Sequence, residues 1–167
     1  GSEMCIRDRE KTDYTTYIQT VYNRENGLPG GCANDIAQTA DGILWIGTYG
    51  GLYRYNGNEF QWMDEFESVK TVNCLYTDEE GRLWIGTNDS GLSICINETI
   101  TNVVSEKDGL TADSVRCITQ SSDGDYYVGT SGAMSILTLA GGLSVKDTIP
   151  EIIYANSIDS VSYTHLR

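Results

Sequence analysis

The sequence predicts an all-β fold: a β-propeller fragment of about three four-stranded antiparallel blades, preceded by an N-terminal outer strand. Three observations predict it. One motif recurs at intervals of 39 and 43 residues, glycine is frequent at 18 of 167 residues, and no long amphipathic helical pattern is evident. A repeat of about 40 residues that holds four short strands is typical of a propeller blade.

The recurring motif has the form acid-Gly-x-Leu-Trp-Ile-Gly-Thr. It occupies residues 41–48 and 80–87, and a weaker copy with Tyr-Tyr-Val-Gly-Thr ends at Thr130. The acid–glycine pair predicts a tight hairpin, because glycine adopts positive φ without steric cost. An alternating segment precedes each copy, and a glycine turn with a further strand follows it. The predicted elements are an outer strand at about 14–23 and blades at about 33–66, 71–105 and 114–155, all within a partial propeller over 10–160.

Nine positions of the motif are predicted to be structural. A blade cannot bury both faces alone, so a large flat side chain at a fixed position is expected to pack against the next blade. The glycine of the Gly-Thr step permits close approach at the end of the strand. A sugar-stacking role for the tryptophans is the alternative. The nine positions are Trp45, Gly47, Thr48, Trp84, Gly86, Thr87, Tyr127, Gly129 and Thr130.

Several motifs in fixed order resemble the two-component regulator propeller repeat. They are Asn-Gly-Leu-Pro at 26–29, Asp41-Gly42, Leu-Trp-Ile-Gly-Thr at 44–48, Gly51-Leu52, Tyr-Asn-Gly at 55–57 and Lys-Asp-Gly-Leu at 107–110. The resemblance implies an extracytoplasmic, periplasmic or cell-surface, sensor propeller of a bacterial signal-transduction receptor. It also implies a parent protein with a membrane span and an output domain, such as a histidine kinase or diguanylate cyclase, and a homodimer formed through that parent. The third copy departs from the pattern at Tyr127-Val128.

The predicted chemistry is recognition rather than catalysis. Acidic clusters at 64–67 and 78–80 fall in a linker and at a turn, where solvated charge is expected. Residues 88–91 lack the spacing of oxygen ligands that a calcium loop requires. Serine nucleophile elbows, phosphate-binding glycine loops and zinc spacings are absent from the sequence. We therefore predict no catalytic residue, no metal and no cofactor.

Two sets of positions are predicted to face one mouth of the central channel, where propellers bind ligands on loops held by a rigid scaffold. The start of each inner strand and the turn after each Gly-Thr step carry polar side chains suited to a carbohydrate or other small ligand. These residues differ between the repeats, as the residues of a binding site would, but unconstrained surface loops also differ in this way. The candidate residues are Asn34, Asn73 and Arg116 on the strands, and Tyr49, Asn88, Asp89 and Ser131 on the turns.

The net charge limits the kinds of partner that the chain can bind, and the cysteine spacing argues against disulfides. A net charge of -13 makes nucleic acid and anionic membranes poor partners, so membrane association is expected only through other parts of the parent. Cys32, Cys74, Cys95 and Cys117 show no paired spacing and are predicted to be buried free thiols. A propeller enzyme acting on polysaccharide and a purely architectural dimerisation module remain the alternatives.

Both ends of the chain are predicted to be non-native. Residues 1–9 and about 161–167 can be encoded by complementary DNA strands that resemble a transposon-end sequencing adapter. Translated adapter carries no folding information. The only histidine, His165, lies in this tail, so no histidine chemistry is expected.

Overall fold

The computed structural model describes residues 20–23, 25, 27, 28 and 32–151. Within them, twelve strands form three separate four-stranded antiparallel sheets in which spatial order follows chain order. Blade 1 contains β1 (Ala33–Gln38), β2 (Leu44–Thr48), β3 (Gly51–Tyr55) and β4 (Phe60–Trp62). Blade 2 contains β5 (Val72–Thr77), β6 (Leu83–Thr87), β7 (Leu92–Ile96) and β8 (Thr99–Val104). Blade 3 contains β9 (Val115–Gln120), β10 (Tyr126–Thr130), β11 (Met134–Thr138) and β12 (Ser144–Ile149).

The all-β prediction is confirmed, since the described residues add to these strands only a short 3-10 helix at Glu106–Asp108. All twelve strands fall inside the predicted blade limits. Of the outer strand predicted at about 14–23, only residues 20–23 are described, and they are not in a strand. The end of predicted blade 3 beyond residue 151 and the two predicted adapter segments lie outside the described residues.

The acid–glycine turns have one backbone conformation in all three blades. Gly42, Gly81 and Gly124 lie at φ of 86°, 79° and 87°, in the left-handed region that glycine favours. A Cβ atom at any of the three would meet no other atom within 4 Å. These glycines are therefore needed for backbone conformation rather than for space, as the sequence predicts.

The threonine of each Gly-Thr step closes the turn between the second and third strands. Thr48, Thr87 and Thr130 are at most 1% exposed. Their hydroxyls donate to the backbone carbonyls of Gly51, Gly91 and Ala133 at 3.0, 2.8 and 2.9 Å. The same hydroxyls accept from the N–H groups of Gly50, Ser90 and Gly132 at 2.9–3.0 Å. Each buried hydroxyl both donates and accepts a hydrogen bond, and it thus supplies the contacts that water would otherwise make to the backbone of the turn.

We expect Thr87→Val to lower the free energy of unfolding by about 1–2 kcal/mol at nearly constant side-chain volume, because the Ser90 N–H loses its acceptor and the Gly91 carbonyl keeps only the Thr87 N–H as donor. Urea denaturation followed by tryptophan fluorescence measures the loss. Thr87→Ser keeps the hydroxyl and is the control. A larger loss in Thr87→Ser than in Thr87→Val would show that the methyl group, not the hydroxyl, stabilises the turn.

The core lies between the blades. Trp45 and Leu52 of blade 1 pack in one cluster with Leu75, Leu83 and Ile85 of blade 2. On the opposite face of blade 2, Trp84 and Leu92 pack with the blade 3 residues Val115, Tyr126 and Val128. The predicted packing of each motif tryptophan against the next blade is therefore confirmed for Trp45 and Trp84.

Motif glycines allow the blades to approach closely. A Cβ atom on Gly47 would collide with the side chain of Val72, the first residue of the next inner strand. A Cβ atom on Gly86 would collide with Cys74 Sγ and lie 2.7 Å from Cγ1 of Val115, the equivalent residue of blade 3. Since the same contact recurs at both interfaces, the glycine sets the blade separation.

The cysteines are free thiols, as predicted, but one of them is not buried. Cys74, Cys95 and Cys117 are buried, and burial raises the pKa of all three thiols, that of Cys95 to about 11. Cys32 is exposed, so the prediction that it is buried is wrong. It precedes the first strand and therefore has no second strand beside it.

Candidate functional site

Each inner strand has a β-bulge at its second residue. In blade 1, Ala33 pairs with Thr48 and Asp35 with Gly47, so Asn34 has no residue opposite it. The same interruption leaves Asn73 unpaired in β5 and Arg116 unpaired in β9. A bulge bends the strand and changes the direction of its side chain, and bulges are common beside functional sites. The three predicted strand positions therefore share one local geometry at one end of the blades.

Two of these three side chains link neighbouring blades. Asn34 Nδ2 donates to the carbonyl of Val72 at 2.7 Å, and Asn73 Nδ2 donates to the carbonyl of Val115 at 2.9 Å. In each case the acceptor is the residue that begins the next inner strand. Nearby, Asp35 Oδ2 accepts from the N–H of Leu75 at 2.7 Å, a further link between blades 1 and 2. The bulge asparagines thus connect the blades at the start of the inner strands.

Two of the predicted turn residues form hydrogen bonds beside these links between blades 2 and 3. Asn88 donates its backbone N–H to the Thr71 carbonyl at 3.0 Å. Its Oδ1 accepts longer hydrogen bonds from Asn73 Nδ2 at 3.5 Å and from Ser114 Oγ at 3.4 Å. The N–H of Ser131 donates to the Ser114 carbonyl at 2.9 Å. The structure therefore brings Asn73, Asn88 and Ser131 into one polar network, which we call the mouth network together with Thr71 and Ser114.

The remaining predicted residues lie at the same end without joining this network. Tyr49 is 67% exposed in its turn. Asp89 accepts from the hydroxyl of Ser90 at 3.0 Å. Arg116 is exposed and forms no salt bridge within the described part of the chain. All three residues are exposed.

A groove between blades 1 and 2 lies at the opposite end, beside the acid–glycine turns. It has a volume of about 230 Å³, and Asp41, Trp45, Glu80 and Glu98 are among its lining residues. Arg54 crosses from blade 1 to Glu98 at 2.8 Å. This groove was not predicted from the sequence. Its acidic residues Asp41, Glu80 and Glu98 lie in turns, whereas Trp45 lies on β2.

A buried carboxylate joins blades 2 and 3. The side chain of Asp78 is fully buried, and its Oδ2 accepts from Arg82 Nε at 2.6 Å, Trp84 Nε1 at 2.7 Å and the Tyr126 hydroxyl at 3.0 Å. Its Oδ1 accepts from the N–H groups of Glu80 and Arg82 at 3.1 and 2.9 Å. The Trp84 and Tyr126 rings stack with centroids 3.9 Å apart. The Asp78 carboxylate therefore accepts hydrogen bonds from donors of both blades at one point of the interface.

The electrostatics of Asp78 follow from these contacts. Burial raises the pKa of the carboxyl, but the hydrogen bonds from Trp84, Arg82 and Tyr126 outweigh it, and the net pKa lies below its ordinary value. Burial and the hydrogen bond to Asp78 raise the pKa of the Tyr126 hydroxyl. Asp78 is therefore a charged hydrogen-bond acceptor between blades rather than a poised acid or base.

The predicted solvation of the 78–80 cluster is wrong for Asp78 and correct for Glu79 and Glu80, which are exposed. The signal that could have found Asp78 is its position six residues before Trp84. Thr39 precedes Trp45 by the same interval and accepts that indole N–H at 3.0 Å. The third-blade equivalent, Ser121, precedes Tyr127, and its buried hydroxyl has no hydrogen-bond partner.

The repeat geometry agrees with a comparison to known families. The family model described as two component regulator propeller matches residues 27–50, 67–89 and 109–132. The chain carries two-component regulator propeller repeats. Each match spans the inner strand and the motif strand of one blade, so the two-component regulator propeller repeats coincide with the bulges and the Gly-Thr turns.

Solved structures with the same fold include large extracellular domains. The first is assigned to the hybrid two component system BT3049 of B. thetaiotaomicron, with TM-score 0.67 and 24% identity, covering 77% of this chain and 20% of that chain. The second is assigned to the one component system BT4673 of the same organism, with TM-score 0.60 and 17% identity, covering 78% and 19%. This chain thus spans about a fifth of the length of these two chains.

A third solved structure with this fold is an enzyme, the virginiamycin B lyase of Staphylococcus aureus. It has TM-score 0.50 and 14% identity, covering 71% of this chain and 41% of that chain. At these identities the likeness shows the fold alone. No curated protein sequence matches the chain.

None of the described residues belongs to a helix with the length and apolar character needed to span a membrane. The same residues contain no group of three or more histidine, cysteine, aspartate or glutamate side chains placed to hold a metal ion.

Proposed function

We propose that this chain is a ligand-sensing or protein-interaction propeller segment of an extracytoplasmic bacterial signalling receptor, without catalytic activity of its own. The matched two-component regulator repeats support the receptor assignment. The extracellular domains with the same fold are consistent with a location outside the cytoplasm. The output domain and the membrane anchor would belong to other parts of the parent.

The observation that carries the ligand-binding role is the mouth network. Asn73, Asn88 and Ser131 come from an inner strand and two turns, in two different blades, yet they are linked through Ser114. Polar groups that converge from several rigid elements, with exposed Tyr49 at the same end, suit a small polar ligand such as a carbohydrate. A ligand bound there would contact more than one blade.

The test uses the whole 167-residue chain and an array of neutral and acidic oligosaccharides, with titration calorimetry on any binder. We expect at least one oligosaccharide to bind. Asn88→Ala should weaken it about fivefold through loss of one hydrogen-bonding side chain. Asn102→Ala, an exposed asparagine on the outer strand β8, is the matched control and should leave affinity unchanged.

A purely architectural module is the second candidate, because Asn34 and Asn73 already donate to neighbouring blades. It predicts no small-molecule binding and a mass that rises with concentration in analytical ultracentrifugation. An array without a binder, combined with such a rise in mass, would favour this candidate over ligand sensing.

A further inference from the structure

The acid–glycine turn of blade 2 holds a guanidinium group at the interface with blade 3. Arg82 directly follows the turn glycine, and its Nε donates to Asp78 Oδ2 at 2.6 Å. Its Nη2 donates to Glu80 Oε2 at 2.6 Å and to the Tyr126 hydroxyl at 2.8 Å. A turn carboxylate, an acceptor two residues ahead of it and an aromatic residue of the next blade therefore bind one guanidinium between blades 2 and 3.

The interface of blades 1 and 2 repeats the acceptors without the guanidinium. By turn hydrogen bonds and strand position, the equivalent residues there are Thr39 for Asp78, Asp41 for Glu80, Ile43 for Arg82 and Leu83 for Tyr126. Thr39 and Asp41 both carry oxygen acceptors. Ile43 has no charge and Leu83 has no hydroxyl, so the guanidinium and the phenol of the second interface have no counterpart in the first.

The groove of about 230 Å³ between blades 1 and 2 lies at this position. Its lining includes the buried residues Trp45, Leu83 and Cys95 and the turn carboxylates Asp41, Glu80 and Glu98. Two of these carboxylates already pair with an arginine of the chain, at 2.6 and 2.8 Å. Asp41 forms no salt bridge among the described residues, although both blades that border it are described.

The local contacts of Asp41 keep its carboxylate charged. Its Oδ1 accepts from Thr39 Oγ1 at 2.6 Å and from the N–H of Ile43 at 3.2 Å. The hydrogen bond from Thr39 holds the pKa of the Asp41 carboxyl below its ordinary value. Both of these bonds go to Oδ1, so Oδ2 is the oxygen that a further donor can reach.

We propose that the groove between blades 1 and 2 binds an arginine side chain of a basic peptide, with its guanidinium at Asp41. A planar guanidinium fork matches a carboxylate, and the apolar lining suits the aliphatic stem. The net charge of -13 favours the approach of a basic peptide. This site lies at the opposite end of the blades from the mouth network and is independent of it.

The experiment is an NMR titration of the whole 167-residue chain with acetyl-Gly-Arg-Gly-amide. We expect this peptide to bind at least about fivefold more tightly than its citrulline counterpart, which has nearly the same shape without the charge. The indole N–H resonance of Trp45 should shift, because this group donates to Thr39 beside Asp41. The indole N–H resonance of Trp84, which donates to Asp78 at the other interface, should stay in place.

Two variants with equal net charge locate the site. Asp41→Asn keeps the Oδ1 acceptor of the turn but removes the charge, and it should abolish the preference for the arginine peptide. Asp123→Asn removes the same charge from the equivalent exposed turn of blade 3 and should keep the preference.

Three results would overturn the site: a preference that survives Asp41→Asn, an acetyl-Gly-Lys-Gly-amide peptide that binds as tightly as the arginine peptide, or no shift at Trp45. The second of these would show attraction by net charge alone. None of them bears on oligosaccharide binding at the mouth network, so failure of the groove site is distinct from failure of the proposed function.

Discussion

Replacing Asp78 with alanine is expected to lower the free energy of unfolding by about 3–5 kcal/mol, because buried donors that lose their acceptor are costly and Arg82 keeps only its exposed partner Glu80. Three side-chain donors would lose their acceptor: Arg82, Trp84 and Tyr126. The loss falls at the interface of blades 2 and 3, so both blades should unfold at lower urea concentration. Urea denaturation followed by fluorescence and by circular dichroism measures it.

The adjacent residue provides the control for this prediction. Glu79 is exposed, and Glu79→Ala should change stability by no more than about 0.5 kcal/mol. Tyr126→Phe, which deletes only one donor, should cost about 1 kcal/mol in the native background and less when Asp78 is already alanine. Additive losses in that double-mutant cycle would show that the two groups do not interact.

The dependence on pH follows from the lowered pKa of Asp78. Because the carboxyl is more acidic in the folded chain than in the unfolded chain, its stabilisation is complete above the ordinary carboxyl pKa and is lost as the pH falls through the folded value. The stability difference between the native chain and Asp78→Asn should therefore shrink in acid. A difference that stays constant from neutral to acidic pH would contradict this assignment.

Gly86→Ala is expected to destabilise the chain by about 2–3 kcal/mol through overpacking. The new Cβ would collide with Cys74 Sγ and lie 2.7 Å from Val115 Cγ1 and 3.1 Å from Val115 Cβ. Since Val115 begins the inner strand of blade 3, relief of the contact requires the two blades to separate. The midpoint of thermal unfolding should fall accordingly.

Two variants test whether the cause is blade separation. Gly50→Ala adds the same methyl group where the nearest atom is Thr48 Oγ1 at 3.6 Å, an ordinary contact, and should be almost neutral. Val115→Ala should reduce the cost of Gly86→Ala by removing the closest carbon it meets. If Gly86→Ala costs the same in the native and Val115→Ala backgrounds, the damage lies within blade 2, where the new Cβ meets Cys74 Sγ, and not between the blades.

The blades could be predicted from the sequence because their determinants are local. A turn glycine, an alternating strand and a buried threonine each act within a few residues, and their recurrence at a fixed interval identifies the unit. The glycine turns, the free thiols at Cys74, Cys95 and Cys117 and the packing of Trp45 and Trp84 follow from that unit. The exposure of Cys32 was not predicted, because the burial of a residue ahead of β1 depends on neighbouring residues that the repeat motif does not specify.

The candidate site was harder to predict because contacts between blades join residues about 40 positions apart. The sequence places Asn34 and Asn73 at one end of the blades but does not show that their amides reach the carbonyls of Val72 and Val115. Asp78 looks like any acidic turn residue until Tyr126 and Trp84 are placed over it. Distant partners decide whether such a polar group is solvated or buried.

The interface of blades 1 and 2 and the interface of blades 2 and 3 have different side chains at equivalent positions. This difference restricts how the repeat array can change by duplication. Where blade 3 presents the Tyr126 hydroxyl to Asp78, blade 2 presents Leu83 to blade 1, whose corresponding acceptor is the neutral Thr39. A tandem copy of blade 2 would place Asp78 opposite a leucine, with one donor missing from a buried carboxylate. Blades of this array are therefore not interchangeable parts, and a gain or loss of one blade would require compensating substitutions in its neighbour.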